Sequence, residues 1–81
     1  MERLTQQELL NIRDQQEPWL RSQAGVVGTG VGLGRGGNLC LKVFTSRVSA
    51  ATRNAIYERL VDLPPDQLSL EEIGEIRKQS G

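Results

Sequence analysis

Between Gly25 and Asn38 glycine recurs at almost every second position, and this stretch constrains the chain more than any other. Val27, Thr29, Val31 and Leu33 alternate with Gly28, Gly30 and Gly32. A period of two marks a strand whose successive side chains point to opposite faces, here one bulky and one bare. Gly34-Arg35-Gly36-Gly37-Asn38 then reads as a turn, because glycine and asparagine tolerate the positive φ that tight turns require. Leu39-Cys40-Leu41-Lys42-Val43-Phe44 returns as a second strand. In the resulting hairpin Leu33 faces Leu39, Val31 faces Leu41 and Thr29 faces Val43. On the other face Gly32 meets Cys40, Gly30 meets Lys42 and Gly28 meets Phe44, whose ring compensates for the missing side chain.

The segments on either side of the hairpin carry helix signals. Thr5 and Glu8 have the spacing of a capping box, with Leu4 and Leu9 at hydrophobic-staple positions, so a helix is predicted over about 6–23. Pro18 removes the hydrogen bond to the carbonyl of Asp14 and predicts a kink or a restart there. Ser49 is a good N-cap for a second helix over 49–60, which carries Ala51, Ala55, Ile56 and Leu60 on one side and is ended by Leu63-Pro64-Pro65-Asp66. A third strand is expected over 67–77, with a bulge or break near Glu72-Ile73-Gly74.

The order helix, strand, strand, helix, strand gives a single α+β domain over 1–81, a small two-layer sandwich with a three-stranded sheet. Both helices are expected on the face of Val27, Thr29, Val31, Leu41 and Val43. The simplest sheet places the first strand in the centre, antiparallel to both neighbours. Only 37% of the residues are hydrophobic, with one Trp, one Tyr and one Phe. The core is therefore thin, which favours association with a partner or a second copy.

Composition excludes several classes of function. The chain contains no histidine and a single cysteine, so neither a Ser-His-Asp or Cys-His catalytic set nor a closed zinc site can be assembled within it. Glu71, Glu72 and Glu75 form an acidic cluster without the apolar surroundings that raise a carboxyl pKa for acid chemistry. No catalytic residue, metal site or cofactor is expected. Gly32-Leu33-Gly34-Arg35-Gly36-Gly37 fits G-x-G-x-x-G, but a strand follows where a dinucleotide site needs a helix N-terminus.

Ten basic and ten acidic residues cancel overall. Residues 35–59 nevertheless carry plus four and residues 60–76 minus five. Arg47, Arg53 and Arg59 lack the shared face and aromatic platforms of a nucleic-acid site, which argues against that class of partner. A lone Cys40 gives no sign of an oxidising compartment, and neither a signal peptide nor a membrane-length apolar run is visible. A cytoplasmic location without membrane contact is the expectation.

The run Gly25-Val26-Val27-Gly28-Thr29-Gly30-Val31-Gly32, the turn, the apolar strand ending in Phe44 and the closing Glu72-Ile73-Gly74-Glu75-Ile76 resemble a small glycine-strand module of bacteria. That module occurs alone or ahead of the catalytic domain in some trypsin-like peptidases. The resemblance spans residues 25–76 and implies an accessory module without catalytic residues of its own.

These observations lead to a non-enzymatic interaction module that binds a protein partner or another copy of itself. Its contact residues are expected among Cys40, Lys42 and Phe44 on the bare face, or Trp19 and Leu20 at the end of the first helix. An alternative is a small-anion or nucleotide sensor built on Gly34, Arg35, Gly36, Gly37 and Asn38, and a third is a weak nucleic-acid binder. Cys40 reads as a small apolar filler, although Lys42 on the same face could lower its thiol pKa. Lys42 within the second strand is also expected to guard against edge-to-edge sheet pairing, leaving face-on contact as the preferred mode.

Overall fold

The computed structural model describes residues 3–34 and 36–73. Helix α1 (Gln6–Arg21) starts where the capping box requires. Glu8 N–H donates to Thr5 Oγ1 at 3.2 Å, and Thr5 N–H donates to Glu8 Oε1 at 2.8 Å. The helix runs through Pro18 to Arg21, so the proline neither stops nor restarts it. Its end is fastened by the Trp19 carbonyl, which accepts from the Ser22 N–H, from Ser22 Oγ at 2.6 Å and from Gln23 Nε2 at 3.3 Å.

Strands β1 (Val26–Leu33) and β2 (Leu39–Thr45) form the antiparallel hairpin in the expected register, from Leu33 opposite Leu39 to Gly28 opposite Phe44. The pairing is irregular between Val26 and Gly28, leaving Val27 as the extra residue of a bulge. Val27, expected on the covered face, is instead 46% exposed. Gly25, just ahead of the strand, needs its missing side chain. Its φ is +93°, and an added Cβ would stand 2.9 Å from the Val48 Cα.

Helix α2 (Ala50–Arg59) is N-capped by Ser49, whose Oγ accepts from the Thr52 N–H at 3.1 Å. A 3₁₀ turn (Pro65–Gln67) then leads into β3 (Leu68–Glu72). The expected extension of this strand to 77 and the break at Gly74 lie outside the described residues.

The strand order is β1-β2-β3, with β3 parallel to β2. This corrects the expected sheet, in which the first strand lay in the centre between two antiparallel neighbours. The direction of β3 is the same in both sheets, because a strand that returns through a helix runs parallel to the one it left. What differs is the edge it joins: β3 takes the free side of β2, whose Leu41 and Val43 are fully buried, rather than that of the glycine-rich β1, which has fewer side chains to pack. The strand with the most buried residues, Cys40, Leu41, Val43 and Thr45, thereby becomes central, and the glycine strand becomes an edge.

Leu41 and Val43 of β2 are fully buried and cluster with Leu9 and Leu20 of α1, Ile56 of α2, and the following Leu60 and Leu63. Val31, Leu68 and Leu70 pack against this cluster from the outer strands. Closing it is Gln67, whose side chain is 1% exposed. Its Oε1 accepts from the Leu4 N–H at 2.8 Å, while Nε2 donates to the carbonyls of Leu4 at 3.0 Å and Leu39 at 3.1 Å.

Two substitutions test this account by urea unfolding. Gln67→Met keeps the volume but strands three backbone groups, and a loss of about 2–4 kcal/mol is expected from the cost of unpaired buried polar groups. Gly25→Ala forces a Cβ into positive φ against Val48, with an expected loss of about 1–3 kcal/mol.

Candidate interaction surface

Alternation along β2 places Leu41, Val43 and Thr45 on the core face and Cys40, Lys42 and Phe44 on the other. The even-numbered face is completed by Gly28, Gly30 and Gly32 of β1 and by Ser69 and Glu71 of β3. The Phe44 ring spans two glycines rather than the one directly opposite. Its Cδ2 lies 3.9 Å from the position of a Gly28 Cβ, and its Cε2 lies 3.6 Å from that of Gly30. The Lys42 stem crosses Gly32 in the same way, with Cε at 3.9 Å. Flat glycine backbone is thus overlaid by one aromatic ring and one alkyl chain, and both side chains remain half-buried.

The polar groups of this face satisfy one another. Lys42 Nζ stands 3.4 Å from Glu71 Oε2, which also accepts from Ser69 Oγ at 3.1 Å. Beside them, with Gly34 and Tyr57, is an open hollow of ≈ 750 Å³. Glu71 and Ser69 were not among the expected contact residues. They reach the face only because β3 lies beside β2; the strand–helix–strand order signals the parallel direction but not which edge of the sheet receives the strand. Glu72, on the opposite face, accepts from Thr45 Oγ1 at 2.8 Å and from the Arg47 N–H at 2.6 Å. It holds Arg47 at a φ of +58°.

Cys40 is 1% exposed and fills the space beside Gly34, where a Cβ would stand 2.9 Å from Sγ. Burial pushes its thiol pKa up, Lys42 pulls it down and Glu71 raises it, for a net upward shift. The possibility that Lys42 would activate the thiol is therefore reversed, and Cys40 behaves as an enclosed filler.

The remaining expected contact residues lie elsewhere. Leu20 is fully buried in the core. Trp19 is half-buried and packs on the core cluster, with the Arg59 guanidinium 4.7 Å from its ring centroid. Arg59 Nε also donates to Gln16 Oε1 at 2.8 Å, so this arginine joins the two helices.

In the glycine turn the Gly37 N–H donates to the Gly34 carbonyl at 3.0 Å, and the Gly34 N–H donates to the Asn38 carbonyl at 2.8 Å. Two amides that could have met an anion are spent inside the turn. Asn38 instead directs its side-chain amide toward Asp66, which is paired with Arg3. Gly36 is exposed, and Arg35 lies outside the described residues. Among the described residues no group of three His, Cys, Asp or Glu side chains could hold a metal ion, and no helix is long and apolar enough to cross a membrane.

No family model, curated protein or solved structure matches the chain.

Cys40 yields a direct prediction. A thiol with a raised folded-state pKa keeps its proton longer in the native chain than in the unfolded one. Its contribution to stability is complete below the unfolded thiol pKa of about 8.5 and is lost as pH rises through the folded value. Stability should thus fall on the alkaline side in wild type and fall less in Cys40→Ala. A disulfide reagent should label Cys40 in urea but only slowly in buffer.

Proposed function

We propose that the chain is a non-enzymatic interaction module that engages a protein partner through the even-numbered sheet face. The observation that carries this reading is Phe44, a half-buried ring laid over glycine backbone and flanked by the Lys42–Glu71 ion pair. Glycine leaves the backbone open to close approach, and large aromatics anchor interfaces far more often than their numbers suggest. The ion pair fixes the orientation of a partner by charge and position. The resemblance to a bacterial accessory module agrees with a role carried by binding. The anion-sensing alternative is less well supported, because the Gly34 and Gly37 amides are used inside the turn and, among the described residues, the charged group that the turn meets is the carboxylate of Asp66.

The test is affinity capture from the source cell with wild type and with Phe44→Ser, followed by titration of the captured protein. Loss of an aromatic anchor should weaken binding by about 2 kcal/mol, or roughly thirtyfold. Phe44→Ser should still unfold cooperatively. An unchanged affinity for both Phe44→Ser and Lys42→Glu would overturn the assignment of the face.

A further inference from the structure

The open edge of β1 supports a second, independent inference. The direction of its backbone groups follows from the hairpin. The Gly34 N–H donates to the Asn38 carbonyl at 2.8 Å, which fixes the phase of the ladder. In an antiparallel pair hydrogen-bonded and non-hydrogen-bonded positions alternate. Gly32, Gly30 and Gly28 therefore exchange their bonds with β2, whereas Thr29, Val31 and Leu33 direct their N–H and C=O groups away from it. Two further bonds confirm the phase on β2. The Ser46 N–H reaches back to Gly25, and the Thr45 carbonyl accepts from Ile73 on the opposite side.

Natural sheets guard their outer strands with charge, proline, bulges or shortness. In β1 the one such device is the bulge at Val27, near the start of the strand, and the stretch from Gly28 to Leu33 has none. The expectation that Lys42 would supply that guard fails, because β2 is central and Lys42 does not lie on an edge. β3, the other outer strand, has five residues and carries Glu71 and Glu72. β1 has eight, Val-Val-Gly-Thr-Gly-Val-Gly-Leu, with no charge and no proline. Nearby Arg13 donates to Thr29 Oγ1 at 3.1 Å but is neutralised by Asp14 and Glu17.

We propose that β1 pairs antiparallel with β1 of a second copy about a two-fold axis at Gly30, joining two three-stranded sheets into one. The occupant is specified by self-complementarity. The exposed apolar side chains of the strand, Val27 at 46% and Leu33 at 63%, stand equally far from Gly30 on either side. The two-fold sets Leu33 of each copy beside Val27 of the other, and Thr29 opposite Val31. On the bare face Gly28 meets Gly32 and Gly30 meets itself, so no Cβ resists the approach. Isologous contact of this kind closes on itself and gives a dimer.

Sedimentation equilibrium from low micromolar to millimolar concentration tests the inference, with amide exchange as a second readout. Wild type should dimerise, with the amides of Thr29, Val31 and Leu33 gaining protection as concentration rises. Leu33→Lys, at an exposed position, should weaken the dimer about tenfold or more by placing a charge at the seam. Val31→Pro should do the same by removing an outward N–H that the monomer does not use. The Val27→Glu/Leu33→Lys double variant should recover dimer, because each lysine then meets a glutamate across the two-fold. Phe44→Ser should dimerise like wild type, so this inference and the proposed partner face fail separately. A wild type that stays monomeric, a dimer indifferent to Leu33→Lys, amide protection independent of concentration, or a dimer abolished by Phe44→Ser would each overturn it. Should Val31→Pro fail to fold, Leu33→Lys and the double variant decide.

Discussion

The buried amide of Gln67 is the joint on which the rest of the arrangement depends. One side chain binds both backbone groups of Leu4, just ahead of α1, and the carbonyl of Leu39 at the start of β2. It sits on the residue that leads into β3, so the beginning of the chain, the central strand and the last strand meet at one point. Each of those backbone groups would otherwise be a partly buried polar atom without a partner. The amide satisfies all three with the geometry that only a two-donor, one-carbonyl group supplies. A thin apolar core is non-directional and would tolerate several arrangements of its leucines, whereas this network tolerates one.

With β2 fixed in the centre, the sheet acquires two faces of different character. The odd-numbered side chains make the core. The even-numbered ones lie over glycines, and a small protein obtains from Phe44 and Lys42 a cover for backbone that is still open to contact. The same glycines make β1 a weak central strand and a good edge. One sequence feature therefore underlies both the proposed partner face and the proposed two-fold seam, through different properties of the strand: its bare side and its unused hydrogen bonds.

Charge is distributed to hold the fold together. Arg59 stacks on Trp19 and bonds Gln16, Arg3 pairs with Asp66, and Glu72 holds the loop at Arg47. These contacts engage Arg59 of the basic segment and Asp66 and Glu72 of the acidic one. Exposed pairs of this kind add little individually, but they fix which elements are neighbours.

The hairpin, its register and both helix starts were legible in the sequence because each is decided locally. Period-two alternation sets the faces, the glycine turn sets the register, and the capping side chains act within a few residues of their partners. The bare face with Cys40, Lys42 and Phe44 followed from the same alternation. What the sequence left open was every relation between distant segments. The position of β3 beside β2, the arrival of Ser69 and Glu71 beside Lys42, the enclosure of Leu20, and the bulge at Val27 all depend on which element packs against which. A side chain's neighbours across the sheet are set by the path of the connecting helix and by a buried amide far away in sequence, and neither leaves a local period to read.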